Sequence, residues 1–189
     1  MKKEKSTSEA KPFNLKRELL SWVEIFVIAA LLAFFIDTFL IANSVVPSAS
    51  MENTIKTHDR VIGSRLSYRF HEPERGDVVI FVWPDTPKGE KDIHYVKRII
   101  GLPGDTVDIR DGHVYLNGSE EPLVEPYLKE PMRLDEPMHF EVPEGCYFMM
   151  GDNRNVSSDA RYWNNTYVEK KDIIAKVYFS YFPRIHSVK

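Results

Sequence analysis

Two residues stand out for the chemistry that they could perform together. Ser50 lies in the run PSASM, just after an apolar N-terminal segment, and Lys97 lies in the run YVKRIIGLPGD. A serine hydroxyl becomes an effective nucleophile only when a neighbouring base takes its proton. A lysine amine is such a base only when it is neutral, which from an ordinary pKa near 10.4 costs about 4.6 kcal/mol at pH 7. Because burial can lower a lysine pKa by about 3–5 units, the apolar neighbours of Lys97 predict an amine that loses its charge.

The elements that must position this pair are predicted to be short β-strands. Runs of β-branched and aromatic residues, broken by Gly, Pro and Asp, indicate strands at 60–63, 77–82, 94–100, 106–110, 113–116, 146–150 and 173–179. Asp111-Gly112 between two of these runs predicts a tight hairpin. No helical pattern of useful length follows residue 58. Five prolines between 117 and 144 predict a loop-rich insertion. The predicted fold class is mainly β, an antiparallel β-sheet catalytic domain behind one N-terminal transmembrane helix.

The apolar segment over 19–42 is long enough to cross a membrane, although Glu24 and Asp37 interrupt it. Three interpretations compete: a transmembrane helix with Trp22 as an interfacial anchor, a cleavable signal peptide, and a buried helix of a soluble protein. The transmembrane helix is favoured, because Ala42-Asn43-Ser44 is a poor cleavage site.

Charge asymmetry predicts how this helix is oriented. Six Lys and Arg residues precede it, and none follows until Lys56. The positive-inside rule therefore predicts a cytoplasmic tail over 1–18 and an extracytoplasmic catalytic domain over 43–189 in the cell membrane. The lipid bilayer is thus a predicted partner. A formal net charge of −3 argues against a nucleic-acid binder, and the single cysteine excludes an intrachain disulfide.

Four short stretches, at 48–51, 75–81, 95–105 and 151–161, occur in a fixed order behind the apolar segment. Together they resemble the type I signal peptidases, membrane-bound Ser/Lys endopeptidases that remove signal peptides from exported proteins. The resemblance covers about residues 20–182. Without a long cytoplasmic loop or a second span, it is closest to the shorter Gram-positive type. It implies exported preproteins as substrates, proximity to the secretion translocon, and no cofactor or metal.

The resemblance also implies roles for particular residues. Ser50 would be the nucleophile and Lys97 the general base. The Ser48 hydroxyl and the Ser50 N–H would hold the oxyanion, and Ser157 would orient the lysine amine. The supporting charges would be Asp152 facing Arg98, and Asp159 paired with Arg161.

In this family the residues one and three positions before the cut are small, as in Ala-x-Ala, which requires shallow apolar pockets. The positions matching the substrate-binding pockets are Val46, Pro47, Met51, Ile55, Val61, Ile80, Tyr95 and Val96. The substrate would lie extended against an exposed strand edge. Three departures leave loop conformation and pocket shape open: Asn53 where Pro is usual, Ile55 where Leu is usual, and Tyr162-Trp163 where a Gly is common.

Other functions remain as alternatives. A self-cleaving Ser/Lys protease of the repressor type would lack the membrane segment and carry a DNA-binding region. A membrane-tethered β-domain without catalysis would bind envelope partners, and a dedicated paralogue would serve one substrate. A histidine-based triad is disfavoured because none of the six histidines lies near a Gly-x-Ser-x-Gly motif. Their spacing does not suit a metal either.

Overall fold

The computed structural model describes residues 15–133 and 136–188, and these residues fall into two compact units, up to Ile36 and from Asp37 onward. In the first unit, helix α1 (Leu15–Phe35) has no buried residue. One turn of π-helix, Ile36–Leu40, continues it, so that a helical segment of 26 residues is long and apolar enough to cross a membrane. At about 1.5 Å per residue this segment is about 39 Å long, against about 30 Å of hydrocarbon in a bilayer. Most of the tail predicted over 1–18 lies outside the described residues.

The second unit is built from antiparallel strands, which confirms the predicted fold class. The strands are β1 (Ile41–Val45), β2 (Arg60–Ser64), β3 (Val78–Val82), β4 (His94–Gly101), β5 (Thr106–Arg110), β6 (His113–Leu116), β7 (Met138–Glu141), β8 (Cys146–Met150), β9 (Tyr167–Glu169), β10 (Ile173–Phe182) and β11 (His186–Ser187). Every strand run expected from the sequence forms a strand. The strands that were not expected are β1, β7, β9 and β11, with five, four, three and two residues.

The strands form two sheets. The larger has the order β1-β2-β10-β3-β4-β8-β9, with β11 paired to β10, and the smaller has the order β6-β5-β7. The β5–β6 hairpin turns through Asp111 and Gly112, whose φ angles of 52° and 76° suit a two-residue turn. The insertion is irregular from 117 to 133, but β7 lies inside it and completes the smaller sheet.

Strand β3 lies at the centre of the core, which explains its unbroken apolar sequence. Val79 and Phe81 pack in one hydrophobic cluster with residues of β4 and β8, while Val78 and Ile80 pack in a second cluster on the other face. A strand buried on both faces reads as a continuous apolar run. The neighbouring strand β4 is placed by this packing, and β4 carries Lys97.

Three short helical pieces join the strands. They are a 3-10 turn at Ala49–Met51, helix α2 at Ser67–Phe70, and a 3-10 turn at Lys170–Asp172. The first of them carries Ser50. Its Met51 is completely buried in the second hydrophobic cluster, which fixes the turn against the sheet.

Candidate active site

Ser50 is held in place from both sides of its turn. Met51 anchors the turn in the core, and Asn153 clamps it from the opposite loop. The Asn153 backbone N–H donates to the Ser50 carbonyl at 3.0 Å, and the Asn153 side-chain amide donates to the Ala49 carbonyl at 3.0 Å. Only 6% of the Ser50 surface is exposed. The serine is therefore a positioned residue rather than a mobile loop residue.

The Ser48 hydroxyl lies beside the Ser50 hydroxyl. Ser48 Oγ donates to Ser50 Oγ at 3.1 Å. A hydroxyl has one proton to donate and two lone pairs to accept with. Because Ser50 Oγ is the acceptor in this bond, its own proton stays available to a base.

Lys97 lies on β4 among apolar and aromatic neighbours. It is only 3% exposed, its cross-strand partner is Val79, and its Nζ lies 5.7 Å from the centre of the Tyr95 ring. Burial lowers the pKa of Lys97 to about 8. The carboxylates of Asp159 and Asp152 oppose this shift, while the Arg161 guanidinium adds to it.

One cavity contains both residues. It has a volume of about 330 Å³ and lies between the segments 45–50 and 93–97, with Val156 and Ser158 completing its wall. The predicted site residues that line it are Val46, Pro47, Ser48, Ser50, Tyr95, Val96 and Lys97. Ile93 and His94 line it as well. The structure therefore brings the predicted nucleophile, base and much of the predicted pocket into one space.

Four predicted pocket residues lie elsewhere. These four, Met51, Ile55, Val61 and Ile80, are almost completely buried in the second hydrophobic cluster and do not line the cavity. Val46 and Val96 belong to the same cluster but also line the cavity. The four buried residues support the cavity wall from behind. Direct contact of these four with a substrate stays a prediction.

One edge of β4 is unpaired where it borders the cavity. Strand β3 pairs with β4 from His94 to Arg98, whereas β8 pairs with it only from Arg98 onward. Within the part of the chain that the structure describes, no strand pairs with the second edge of 94–97. Backbone groups on such an edge can accept another extended chain.

Two buried ion pairs flank the site. Arg98 donates to the Asp152 carboxylate through Nε at 2.8 Å and through Nη2 at 2.7 Å, and the Thr54 hydroxyl donates to the same carboxylate. Arg161 donates to Asp159 through Nε at 2.8 Å and Nη2 at 2.9 Å. Bidentate pairs of this kind fix the orientation of both side chains.

Gly151 lets two parts of the site approach closely. A Cβ at this position would clash with Ser157 Oγ and would lie 2.5 Å from the Ser50 carbonyl oxygen, so no larger residue fits. Its N–H donates to Asp159 at 3.0 Å. Ser157 Oγ is buried and has no hydrogen-bond partner among the described residues. An unpartnered buried hydroxyl is uncommon and marks a group available for a partner.

Sequence reasoning missed several supporting residues. Asn153 belongs to a predicted motif, but its clamp on the Ser50 turn is a tertiary contact. Glu125, from the insertion, pairs with Arg154 at 2.9 and 2.5 Å, with both side chains almost completely buried. Tyr127 stacks on Arg98, with 3.8 Å between the guanidinium carbon and the ring centre. No local pattern in the insertion marks Glu125 or Tyr127 as buried.

Metal ligands are not gathered anywhere in the described ranges. No group of three or more His, Cys, Asp or Glu residues there could hold a metal ion.

Comparison with known proteins gives a consistent result. The family described as "Signal peptidase, peptidase S26" matches residues 19–182. A probable signal peptidase I-2 from Synechocystis is 39% identical, covering 86% of this chain and 74% of the relative. Signal peptidase I from Bacillus licheniformis is 38% identical, covering 93% of this chain and 95% of the relative. A crystal structure of a signal peptidase I from Enterococcus faecalis, 31% identical, covers 56% of this chain and 97% of that one, with a TM-score of 0.46.

The family match and the relatives define a class of protein first: the chain is a serine protease, a hydrolase of peptide bonds. More narrowly, the chain belongs to the signal peptidase family, peptidase S26. Its activity is the removal of signal peptides.

Proposed function

We propose that this chain cleaves preproteins with a Ser50–Lys97 dyad. The observation that carries the proposal is the buried Lys97 amine, with a pKa lowered to about 8, in the cavity that Ser50 lines. With that pKa about a tenth of the amines are neutral at pH 7, against about one in 3,000 for a pKa of 10.5. Neutral Lys97 takes the proton of Ser50 Oγ, and the oxygen attacks the scissile carbonyl carbon.

The same groups complete the reaction. The Ser48 hydroxyl and the Ser50 N–H donate to the oxyanion of the tetrahedral intermediate. Protonated Lys97 then gives its proton to the leaving amine, and the neutral amine activates the water that hydrolyses the acyl-enzyme. The Ser157 hydroxyl orients the Lys97 amine, a role supported by its burial without another partner in the described part of the chain.

The substrate binds as an extended chain along the free edge of β4. Alternate residues of an extended chain point to the same side, so positions −1 and −3 before the cut both enter the cavity. About 330 Å³, bounded by Tyr95, Val46 and Pro47, leaves room for two small side chains. An Ala-x-Ala boundary therefore suits this site.

The helical segment Leu15–Leu40 anchors the enzyme in the membrane. Lys16 and Arg17, with the lysines before them, place the N-terminus in the cytoplasm by the positive-inside rule. The catalytic domain then lies outside the cytoplasm. Its preprotein substrates emerge there, close to the secretion translocon.

Two variants test the dyad directly. The full chain in detergent is given a preprotein or a peptide with an Ala-x-Ala boundary, and cleavage is followed by mass spectrometry. Ser50→Ala and Lys97→Ala should each abolish turnover, because each removes a proton-transfer partner. The matched controls are Ser119→Ala and Lys88→Ala, which change exposed residues of the same types. Retained turnover in either dyad variant contradicts the mechanism.

His94 distinguishes the dyad from a histidine-based mechanism, since it lines the same cavity. His94→Gln should retain most of the turnover. A loss as large as that of Ser50→Ala would identify a histidine base instead.

A further inference from the structure

A second cavity continues the first one. It has a volume of about 470 Å³ and is open to solvent. Val156 and Ser158 line both cavities, and Ser157 lines the second one. The two spaces therefore meet at the segment 156–158.

The position of the dyad decides which part of a substrate each cavity receives. The first cavity lies along 45–50 and 93–97, and both segments reach the dyad at their C-terminal ends. A substrate chain bound along the first cavity meets Ser50 at the end of that cavity. Beyond the cut bond the chain passes over 156–158 and enters the second cavity. The residues just after the cut, at the new N-terminus, therefore belong there.

The far wall of the second cavity is built by the insertion. The Asn155 amide donates to the Glu130 carboxylate at 2.9 Å and to the Pro131 carbonyl at 3.0 Å. The Arg133 N–H donates back to the Asn155 side-chain oxygen at 2.8 Å. Three hydrogen bonds on one asparagine hold the insertion against the catalytic loop and place Arg133 at the cavity.

The charge available in this cavity comes from Arg133. Arg154 also lines it, but Arg154 is buried and neutralised by the bidentate contact with Glu125. The Arg133 side chain is 83% exposed, and its Nη2 forms an ion pair with the Glu130 carboxylate at 3.8 Å. An exposed pair of this kind is weak, so the guanidinium can exchange it for a substrate carboxylate. Among the described residues lining the cavity there is no carboxylate.

We propose that the second cavity is the subsite for the first three residues of the released mature chain, and that Arg133 makes it prefer acidic side chains there. Three extended residues span about 10 Å. Arg133 is thus a specificity-determining residue of the insertion. This inference rests on the proposed function, because it takes the cut to occur at Ser50.

The test is a charge swap between enzyme and substrate. Three peptides share one Ala-x-Ala boundary and carry Asp-Asp, Asn-Asn or Lys-Lys at the second and third positions after the cut. With the full chain in detergent at low salt, kcat/KM for the Asp peptide should exceed that for the Lys peptide about two- to fivefold, the range of one exposed ion pair. Arg133→Glu should invert this ratio, and Arg133→Gln should bring it near one. The preference should shrink at high salt.

The control is Arg69→Glu, which reverses the charge of an exposed arginine that lines neither cavity and should leave the Asp-to-Lys ratio as in the wild type. A wild-type ratio near one, or the same ratio in Arg133→Glu, overturns the subsite while leaving Ser50-dependent cleavage intact. Cleavage that persists in Ser50→Ala overturns the proposed function itself, and the subsite with it. The wild-type ratio needs no variant, so the inference stays testable if a substitution impairs folding.

Discussion

Lys97 shows how the surroundings of one residue change its acid–base chemistry. It lies on the face of β4 that carries Tyr95, and its cross-strand partner is Val79. Burial lowers the pKa because the charged form loses its hydration. The nearby acids are already engaged with arginines, which limits their power to restore the charge.

The pH dependence of turnover follows from this pKa. Since the neutral amine is the proposed base, activity should rise with pH and level off above an apparent pKa near 8. The measurement is kcat/KM for an Ala-x-Ala peptide from pH 6 to pH 10. If kcat/KM rises only near pH 10, Lys97 titrates like an exposed lysine, and that result would contradict the assignment.

Ser48 offers a second prediction for a single residue. Ser48→Ala removes a hydroxyl that lies 3.1 Å from the proposed nucleophile. Loss of one oxyanion donor lowers kcat by about 10²–10³-fold, with a smaller effect on KM. Ser48→Thr keeps a hydroxyl and should recover part of the loss. A change confined to KM would assign Ser48 to substrate binding instead.

Among the elements, the loop 151–161 organises the site. Its N-terminal part clamps the Ser50 turn through Asn153, and its C-terminal part carries the Asp159–Arg161 pair. Glu125 of the insertion pairs with Arg154 of this loop, and Tyr127 of the insertion lies over Arg98 of β4. The geometry of the proposed dyad therefore depends on the insertion, which itself contributes no proposed catalytic group.

The buried Glu125–Arg154 pair predicts the effect of disturbing this contact between the insertion and the loop. Glu125→Gln leaves a buried guanidinium without its counter-charge and should lower the free energy of unfolding by about 3–5 kcal/mol. Replacing both partners, with Glu125→Gln and Arg154→Met, should recover much of that loss. Urea unfolding followed by tryptophan fluorescence measures the difference.

Glu120→Gln provides the matched control, since Glu120 is an exposed glutamate of the same insertion. Its unfolding should match that of the wild type. Equal free energies of unfolding for Glu125→Gln and Glu120→Gln would show that the Glu125–Arg154 pair does not stabilise the fold.

At the scale of the whole molecule, burial of the Lys97 amine lowers the free energy of unfolding. A lysine pKa lowered from 10.5 to about 8 corresponds to about 3 kcal/mol lost from folding wherever the amine is protonated. The unfolded chain binds more protons than the folded one between pH 8 and pH 10.5, so the free energy of unfolding rises across that range.

Lys97→Met should therefore stabilise the protein by up to about 3 kcal/mol below pH 8, while abolishing turnover. The advantage should shrink as pH rises from about 8 to about 10.5. The measurement is urea unfolding of wild type and variant at several pH values, with Lys88→Met, at an exposed lysine, as control. A constant difference across this range would mean that Lys97 does not titrate as described.

The sequence by itself determined the strand pattern, the apolar segment and the family. Strands such as β3 and β4 are recognisable because burial requires β-branched and aromatic residues in a row. The motifs around Ser50 and Lys97 could be recognised for a similar reason, since the chemistry proposed for them needs particular residue types at particular places in the chain. That Ser50 and Lys97 line the same cavity could not be predicted from the residue patterns alone.

Only the tertiary structure decided which residues meet. Gly151 is indispensable because Ser157 and the Ser50 carbonyl, far apart in the chain, both approach it. Glu125 is buried because it meets Arg154, although its local sequence has the composition of an exposed loop. Burial and contact depend on distances through space, and for these residues the sequence records only their order along the chain.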